Sequence, residues 1–367
     1  MVAHGLYAFI VASVAALATG ALLPSLIRIA RELNLLSVPT EARQVHITPL
    51  PRIGGLAMFT AFAAAVAISF WLPVERYPIE VERITLLLIG AILVVAVMLY
   101  DDMIGVSPGK KFVWQVAASA VIIVPRLRGE QHGLVIDQFN NPFGGTIHLP
   151  LLVAIGFTMF WVVGFMNTLN WIDGLDGLAG SVTVVAASVL FFHTFFRPAG
   201  DPQFTISLLP AALGGAVIGF LPFNWHPARI LMGDVGAMFL GFTLAVISII
   251  GGAKIATALL ALWLPILDVA WVIIYRILNS QSPVKADRGH LHHRLLDLGW
   301  SQQQIVLLFT GLSIALGGAS LFIARPETKF FALVVAGVIG IALLALLARI
   351  NRRQIENPSL TEISRRP

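Results

Sequence analysis

Two adjacent aspartates, Asp101 and Asp102, close an apolar run and are followed by Lys110, Lys111 and Gln115. Adjacent carboxylates repel unless a cation or a proton comes between them, which suits metal–phosphate chemistry or a general base. Lys111 and Gln115 are spaced i, i+4 and share a helix face, where a lysine can serve as a point charge for phosphate; Lys110 reads as a topology-setting charge. The densest signal is Asn167-Thr-Leu-Asn170-Trp-Ile-Asp173-Gly174-Leu-Asp176-Gly177-Leu-Ala-Gly180. Asn167, Asn170 and Asp173 recur every third residue and line one face, and Asp176 is expected to continue that row. Amide and carboxylate oxygens on a rigid element are hard ligands suited to Mg²⁺, with Mn²⁺ as a substitute.

Three further clusters complete the set. Met232-Gly233-Asp234-Val235-Gly236 flanks an acid with glycines at the mouth of an apolar run, with Asn224 upstream; this allows close approach of a diphosphate and its metal. Arg43, His46 and Pro49-Leu-Pro-Arg52-Ile-Gly54-Gly55 form an extended approach ending on paired glycines. Asp287-Arg288-Gly289-His290-Leu-His292-His293-Arg294 is a donor-rich loop able to hold phosphate or sugar hydroxyls. A zinc site there is the rival, disfavoured by the hard oxygen ligands of the other clusters.

The elements that carry these groups are membrane spans. The chain has 367 residues, 57% hydrophobic and 12% charged, against about 25% charged in soluble domains. Apolar stretches of about 20 residues, enough to cross a bilayer core, recur throughout. The sequence predicts an all-α polytopic membrane protein with helices at 5–30, 53–73, 83–100, 111–125, 149–168, 177–196, 205–222, 234–252, 254–277, 303–324 and 328–349, eleven in all. The first is expected to be a retained span, having neither a basic segment before it nor a small-residue cleavage site after it. Odd-to-even connections and the C-terminal tail hold 16 of the 24 Lys and Arg, which predicts them to be cytoplasmic, with the N-terminus outside and the C-terminus inside. All five polar clusters then fall on the cytoplasmic side of an inner membrane. Residues 1–367 are expected to form one integral domain with a polar tail at 350–367, and 133–150 a small outer hairpin. The absence of cysteine excludes disulfides, thiolate metal sites and a cysteine nucleophile.

Acids and amides for a divalent cation, with Lys and Arg for phosphate, at the interface where a lipid headgroup meets a cytosolic nucleotide, point to phosphoryl transfer onto a lipid. The five clusters, in this order and spacing, resemble the polyprenyl-phosphate N-acetylhexosamine-1-phosphate transferases from about Leu33 to Leu296. That resemblance implies transfer of a sugar-1-phosphate from a UDP-sugar to undecaprenyl or decaprenyl phosphate, releasing UMP. It also implies Mg²⁺ held by Asn170 and Asp234, phosphate on Lys111, Asp101 as base for the lipid phosphate beside Asp102, and Asp173 and Asp176 on the uridine side. His290, His292, His293 and Arg294 would read the sugar, and Arg52, Asn167 and Asn224 are expected to contact substrate. The Pro-Leu-Pro-Arg-Ile-Gly-Gly and His-Leu-His-His-Arg sequences resemble the branch that uses UDP-GlcNAc. The phospho-MurNAc-pentapeptide translocases carry three consecutive histidines instead, and UDP-MurNAc-pentapeptide or another UDP-HexNAc is the alternative donor.

This chain departs from the family pattern at Ser37, Gln44 and Ala237, positions bearing on donor specificity and the first cytoplasmic loop. The expected partners are the donor, the lipid acceptor and membrane lipids, with no nucleic acid; a homodimer is compatible with the reading. A transporter would spread charges through the membrane depth and repeat its halves. Here they gather on one face, and no fixed-period repeat is seen.

Overall fold

A computed structural model describes residues 2–37, 49–196, 203–252, 255–282, 289–323 and 325–356. Arg43, His46, Lys285, Asp287 and Arg288 lie outside the described residues. The chain folds into mostly helical layers: α1 (Val2–Glu32), α2 (Gly54–Ile68), α3 (Pro78–Ile104), α4 (Pro108–Ile123), α5 (Leu151–Ile172), α6 (Leu178–Phe195), α7 (Phe204–Asn224), α8 (Gly233–Ile250), α9 (Ile255–Ala261), α10 (Trp263–Leu278), α11 (Leu291–Asp297), α12 (Gln302–Phe322) and α13 (Pro326–Glu356). Two antiparallel strand pairs join them: β1 (Leu36–Ser37) with β2 (Leu50–Pro51), and β3 (Gln138–Asn140) with β4 (Thr146–His148). The second pair is the hairpin expected within 133–150.

Helix α8 is the centre. All of its residues are buried, and it packs against α2, α3, α5, α6 and α7. Its Phe239 ring meets Phe59 and Phe62 edge-on, each at 5.6 Å. Lipid tails are as apolar as these side chains, so close packing rather than water exclusion holds such a bundle together. A polar group at the end of the central helix is therefore held in a fixed place with neighbours on all sides.

Each of the eleven predicted helices has a counterpart, but not every one is long and apolar enough by itself to cross a membrane. Among the described residues nine helices are long and apolar enough to span, or ten if one bent pair counts as a single span. Helix α4 has 16 residues, about 24 Å at 1.5 Å per residue, short of the roughly 30 Å hydrocarbon core. The run predicted as one helix at 254–277 is broken into α9 and α10, bent by 84°. Pro265 lacks the N–H that would bond to the Ala261 carbonyl, and its ring crowds that carbonyl, which places the break at Leu262. At the C-terminus, α13 continues through Glu356, so the first part of the predicted tail is helical.

Candidate active site

The site forms where α2, α4 and α8 begin and α3 and α5 end. Residues 51–55 lie along the segment before α8: the Leu231 amide bonds to the Pro51 carbonyl, and the Gly54 and Gly55 amides to the Leu231 and Met232 carbonyls, at 2.8 to 3.0 Å. Gly55 runs against the Gly236 backbone so closely that any side chain there would collide with it. The paired glycines thus dock α2 onto α8 and bring Arg52 to Asp234.

Asp234 gathers groups from three other elements. Lys111 Nζ reaches its Oδ2 at 2.7 Å and Asp101 Oδ2 at 2.5 Å. Arg52 Nη2 reaches its Oδ1 at 2.7 Å, and the Asn170 amide donates to the same oxygen at 3.2 Å. Oxygens of Asp101, Asp102 and Asp234 lie within 4.8 Å of one another, a grouping that could hold a metal ion. At an effective dielectric near 20, two carboxylate charges at that distance repel by about 3 kcal/mol. Lys111 and Arg52 offset this, but two cations serve three acids, and Asp173 stands close enough to act on Arg52, Asp234 and Asp102 as well. The excess is negative and the donors are hard oxygens, which fits a divalent cation.

Asp101 and Asp102 differ in what they hold. Asp102 accepts the amides of Asp234 at 3.3 Å and Val235 at 3.2 Å, donors that the first turn of α8 cannot satisfy within itself, and pairs with Arg52 Nε at 3.3 Å. Asp101 gives one oxygen to the Val106 amide at 2.7 Å and the other to Lys111. Asp102 therefore anchors α8, while Asp101 faces the Lys111 ammonium. Burial works against the Arg52 charge, yet Asp234, Asp102, Asp173 and Asp101 hold its pKa above the ordinary value.

The α5 row splits. Gln115 exchanges hydrogen bonds with Asn167, at 2.8 and 3.3 Å, Asn170 reaches Asp234, and the Asp173 carboxylate has no hydrogen-bond or ion-pair partner among the described residues. Removal from water holds the Asp173 carboxyl well above the usual range; Arg52 opposes this, and Asp234, Asp102 and Asp176 add to it. Asp176 does not continue the row. Helix α5 ends at Ile172, and in the following turn Asp176 Oδ2 takes His226 Nδ1 at 2.8 Å and the Ala228 amide at 3.1 Å. Asn224 bridges the same turns, accepting from the Gly177 amide at 3.0 Å and donating to the Ile230 carbonyl at 2.9 Å. Both side chains staple the α5–α6 turn to the α7–α8 loop.

The histidine motif closes the site from the other side. His290, His292 and His293 are all buried, with the His290 and His292 rings stacked at 5.7 Å and the His292 and His293 rings tilted by 44° at 4.3 Å. Both nitrogens of His292 lack partners among the described residues, and a side chain on Gly174 would meet its Nε2 at 2.6 Å. Burial first, then the neighbouring imidazoles of His293 and His290, hold His292 well below its usual pKa. Arg294 begins the second turn of α11, with its amide on the His290 carbonyl at 3.1 Å.

The family model described as glycosyl transferase family 4 matches residues 84–252. The chain is 33% identical over 292 residues to a probable undecaprenyl-phosphate N-acetylglucosaminyl 1-phosphate transferase of Bacillus subtilis, covering 78% of this chain and 76% of that protein. It is 33% identical over 352 residues to a decaprenyl-phosphate N-acetylglucosaminephosphotransferase of Mycobacterium tuberculosis, covering 89% and 84%. The chain belongs to the polyprenyl-phosphate N-acetylhexosamine-1-phosphate transferases, glycosyl transferase family 4. A phospho-N-acetylmuramoyl-pentapeptide-transferase of Listeria monocytogenes is also similar, at 30% over 293 residues, covering 76% of this chain and 86% of that one. Among the polar residues of this transferase that escaped the sequence reading is Asp268, fully buried in α10, which accepts the Leu291 amide at 2.7 Å and contacts His290 Nδ1 at 3.1 Å. A lone acid within an apolar helix was the signal available for it.

Proposed function

We propose that this protein transfers GlcNAc-1-phosphate from UDP-GlcNAc to a polyprenyl phosphate, undecaprenyl or decaprenyl, giving the polyprenyl-diphosphate sugar and UMP. The observation that carries the reading is the buried acid cluster Asp101, Asp102 and Asp234, under-neutralised by Lys111 and Arg52. Asp234 and the Asn170 amide oxygen would hold Mg²⁺, or Mn²⁺ in its place, with Asp101 and Asp102 beside them. The ion supplies charge neutralisation for the diphosphate during transfer.

The residues around it do the positioning. Lys111 and Arg52 are the more exposed members of the cluster, with 26% and 41% of their side chains open against 11% or less for the three acids, so an incoming phosphate meets them first. Asp101 is the base toward the lipid phosphate, whose oxygen attacks the β-phosphorus as the bond to the UMP oxygen breaks. Asp173 lies on the nucleotide side, with Asp176, Asn224 and the Asn167–Gln115 pair fixing the walls. His290, His292, His293 and Arg294 read the sugar.

We place the site on the cytoplasmic face of the inner membrane, with the N-terminus outside and residues 1–367 as one integral domain. That orientation takes eleven crossings, with α4 lengthened by the 3₁₀ segment Val124–Arg128. Every acid and counter-charge of the cluster comes from one chain, so a homodimer is compatible with the site but not required by it. The similarity to phospho-N-acetylmuramoyl-pentapeptide-transferases keeps UDP-MurNAc-pentapeptide as the second donor. The test is transfer by purified protein from radiolabelled UDP-sugars to polyprenyl phosphate, with Mg²⁺ or EDTA. Labelled lipid and equimolar UMP from UDP-GlcNAc, lost in EDTA, is the expected result; transfer only from another UDP-sugar overturns the donor, and no transfer from any overturns the reaction.

A further inference from the structure

The reaction as described makes no use of the buried polar face of α10. Asp268 and Arg276 stand eight residues apart on it, 0% and 2% exposed. A carboxylate with no water contact costs several kcal/mol unless its oxygens are satisfied. Asp268 spends both oxygens on one target: Oδ1 accepts the Leu291 amide at 2.7 Å and Oδ2 lies 3.1 Å from His290 Nδ1. A carboxylate against Nδ1 selects the tautomer that carries its proton there and fixes the ring plane, leaving Nε2 as an acceptor. The ring so fixed stacks on His292 at 5.7 Å and lies 5.8 Å from Trp171, which directly follows Asn170. Arg276 covers the same indole, its guanidinium 6.0 Å from the ring. One face of α10 therefore sets the histidine motif against the metal-binding end of α5.

We propose that Asp268 is a positioning residue for donor recognition: by holding His290 through Nδ1, it aims the Nε2 acceptor at a hydroxyl or amide N–H of the nucleoside-diphosphate sugar. This rests on the transfer reading above. A plain helix cap is the competing account of Asp268, and it predicts lost stability with no selective effect on the donor.

The experiment measures KM for UDP-GlcNAc and for polyprenyl phosphate, together with thermal shifts by UDP-GlcNAc and by UMP, on full-length wild type, Asp268→Asn, His290→Ala and the double variant. Asn at 268 still accepts the Leu291 amide but faces His290 with an N–H, which reverses the tautomer. The expected result is a donor KM raised about tenfold, an acceptor KM within about twofold, a UDP-GlcNAc shift that is reduced while the UMP shift stays, and a double variant no worse than His290→Ala. An unchanged donor KM, full additivity in the double variant, or equal rises in both KM values with a lowered Tm overturns the proposal. Should Asp268→Asn fail to fold, His290→Asn decides. Its amide nitrogen replaces Nδ1 and keeps Asp268 paired but lacks Nε2, so it must fold normally and still raise the donor KM; an unchanged KM there is equally fatal. Active wild type with unaffected variants removes this inference alone, whereas a wild type that neither binds nor uses any UDP-sugar removes the transfer reading and this inference with it.

Discussion

At the first end of α3, Glu82 pairs with His132 at 2.8 Å and Glu80 takes the Thr205 hydroxyl at 2.8 Å; at its last end, Asp101 and Asp102 share Lys111 and Arg52 with a third acid, Asp234, from α8. In the first arrangement the two acids share no partner: Glu82 also accepts the Gly133 amide at 3.1 Å and Glu80 the Tyr77 amide at 3.4 Å. Its ion pair is also open to water, with 31% and 48% of the Glu82 and His132 side chains exposed, whereas Asp101 and Asp102 show 4% and 3%. Exposed pairs are screened and contribute little to stability, while buried charges that outnumber their partners interact strongly and invite a further cation. Charged residues alone therefore do not mark a site. Burial, shared partners and assembly from distant parts of the chain do.

That contrast can be broken at four points. The largest effect belongs to Asp234→Asn, which removes the charge common to Lys111, Arg52 and the proposed cation: transfer should fall on the order of 10³-fold in a folded, membrane-inserted protein, measured as UMP release. Lys111→Met comes next. It leaves Asp101 and Asp234 without the cation between them, and kcat should fall roughly 10²-fold.

Asp173→Asn should act on stability with the opposite sign. A carboxyl whose folded pKa lies above its unfolded value binds more protons folded than unfolded, so wild-type stability declines as pH rises from the ordinary aspartate range toward the raised value. The amide removes that decline. In the absence of divalent ions the variant should therefore melt above wild type at neutral pH, and the gap should close toward about pH 4. A variant that melts lower at neutral pH would contradict the reading of Asp173 as an unpaired acid. Smallest of all, Glu82→Gln at the opposite end of α3 should change stability by no more than about 0.5 kcal/mol and leave transfer unchanged, as read by thermal denaturation and the same assay.

Much of the site is legible in the sequence because membrane-embedded polar residues are rare. Asp101, Lys111, Asn170 and Asp234 each interrupt or end an apolar run, and the structure brings all four into contact. What cannot be read is which partners they find. The capping of α8 by Asp102 depends on two helices separated by more than 100 residues, and the turn of Asp176 away from the Asn167 row depends on where α5 stops. The bend at Leu262 shows the same limit: Pro265 breaks its helix, whereas Pro24, Pro210 and Pro222 ride inside continuous ones, so proline alone does not locate a break. Asp268 is visible as a lone acid, but its role depends on a histidine motif that reaches it only in the fold.

The central claim is that the acid cluster at the end of α3 binds a divalent cation because its carboxylates outnumber their counter-charges. An electron paramagnetic resonance titration of purified protein with Mn²⁺ tests it directly, comparing wild type, Asp234→Asn and Glu82→Gln. The account predicts one bound Mn²⁺ per chain, displaced by Mg²⁺, kept in Glu82→Gln and lost in Asp234→Asn. Binding that survives Asp234→Asn, or none in wild type even with UDP-GlcNAc present, would contradict it.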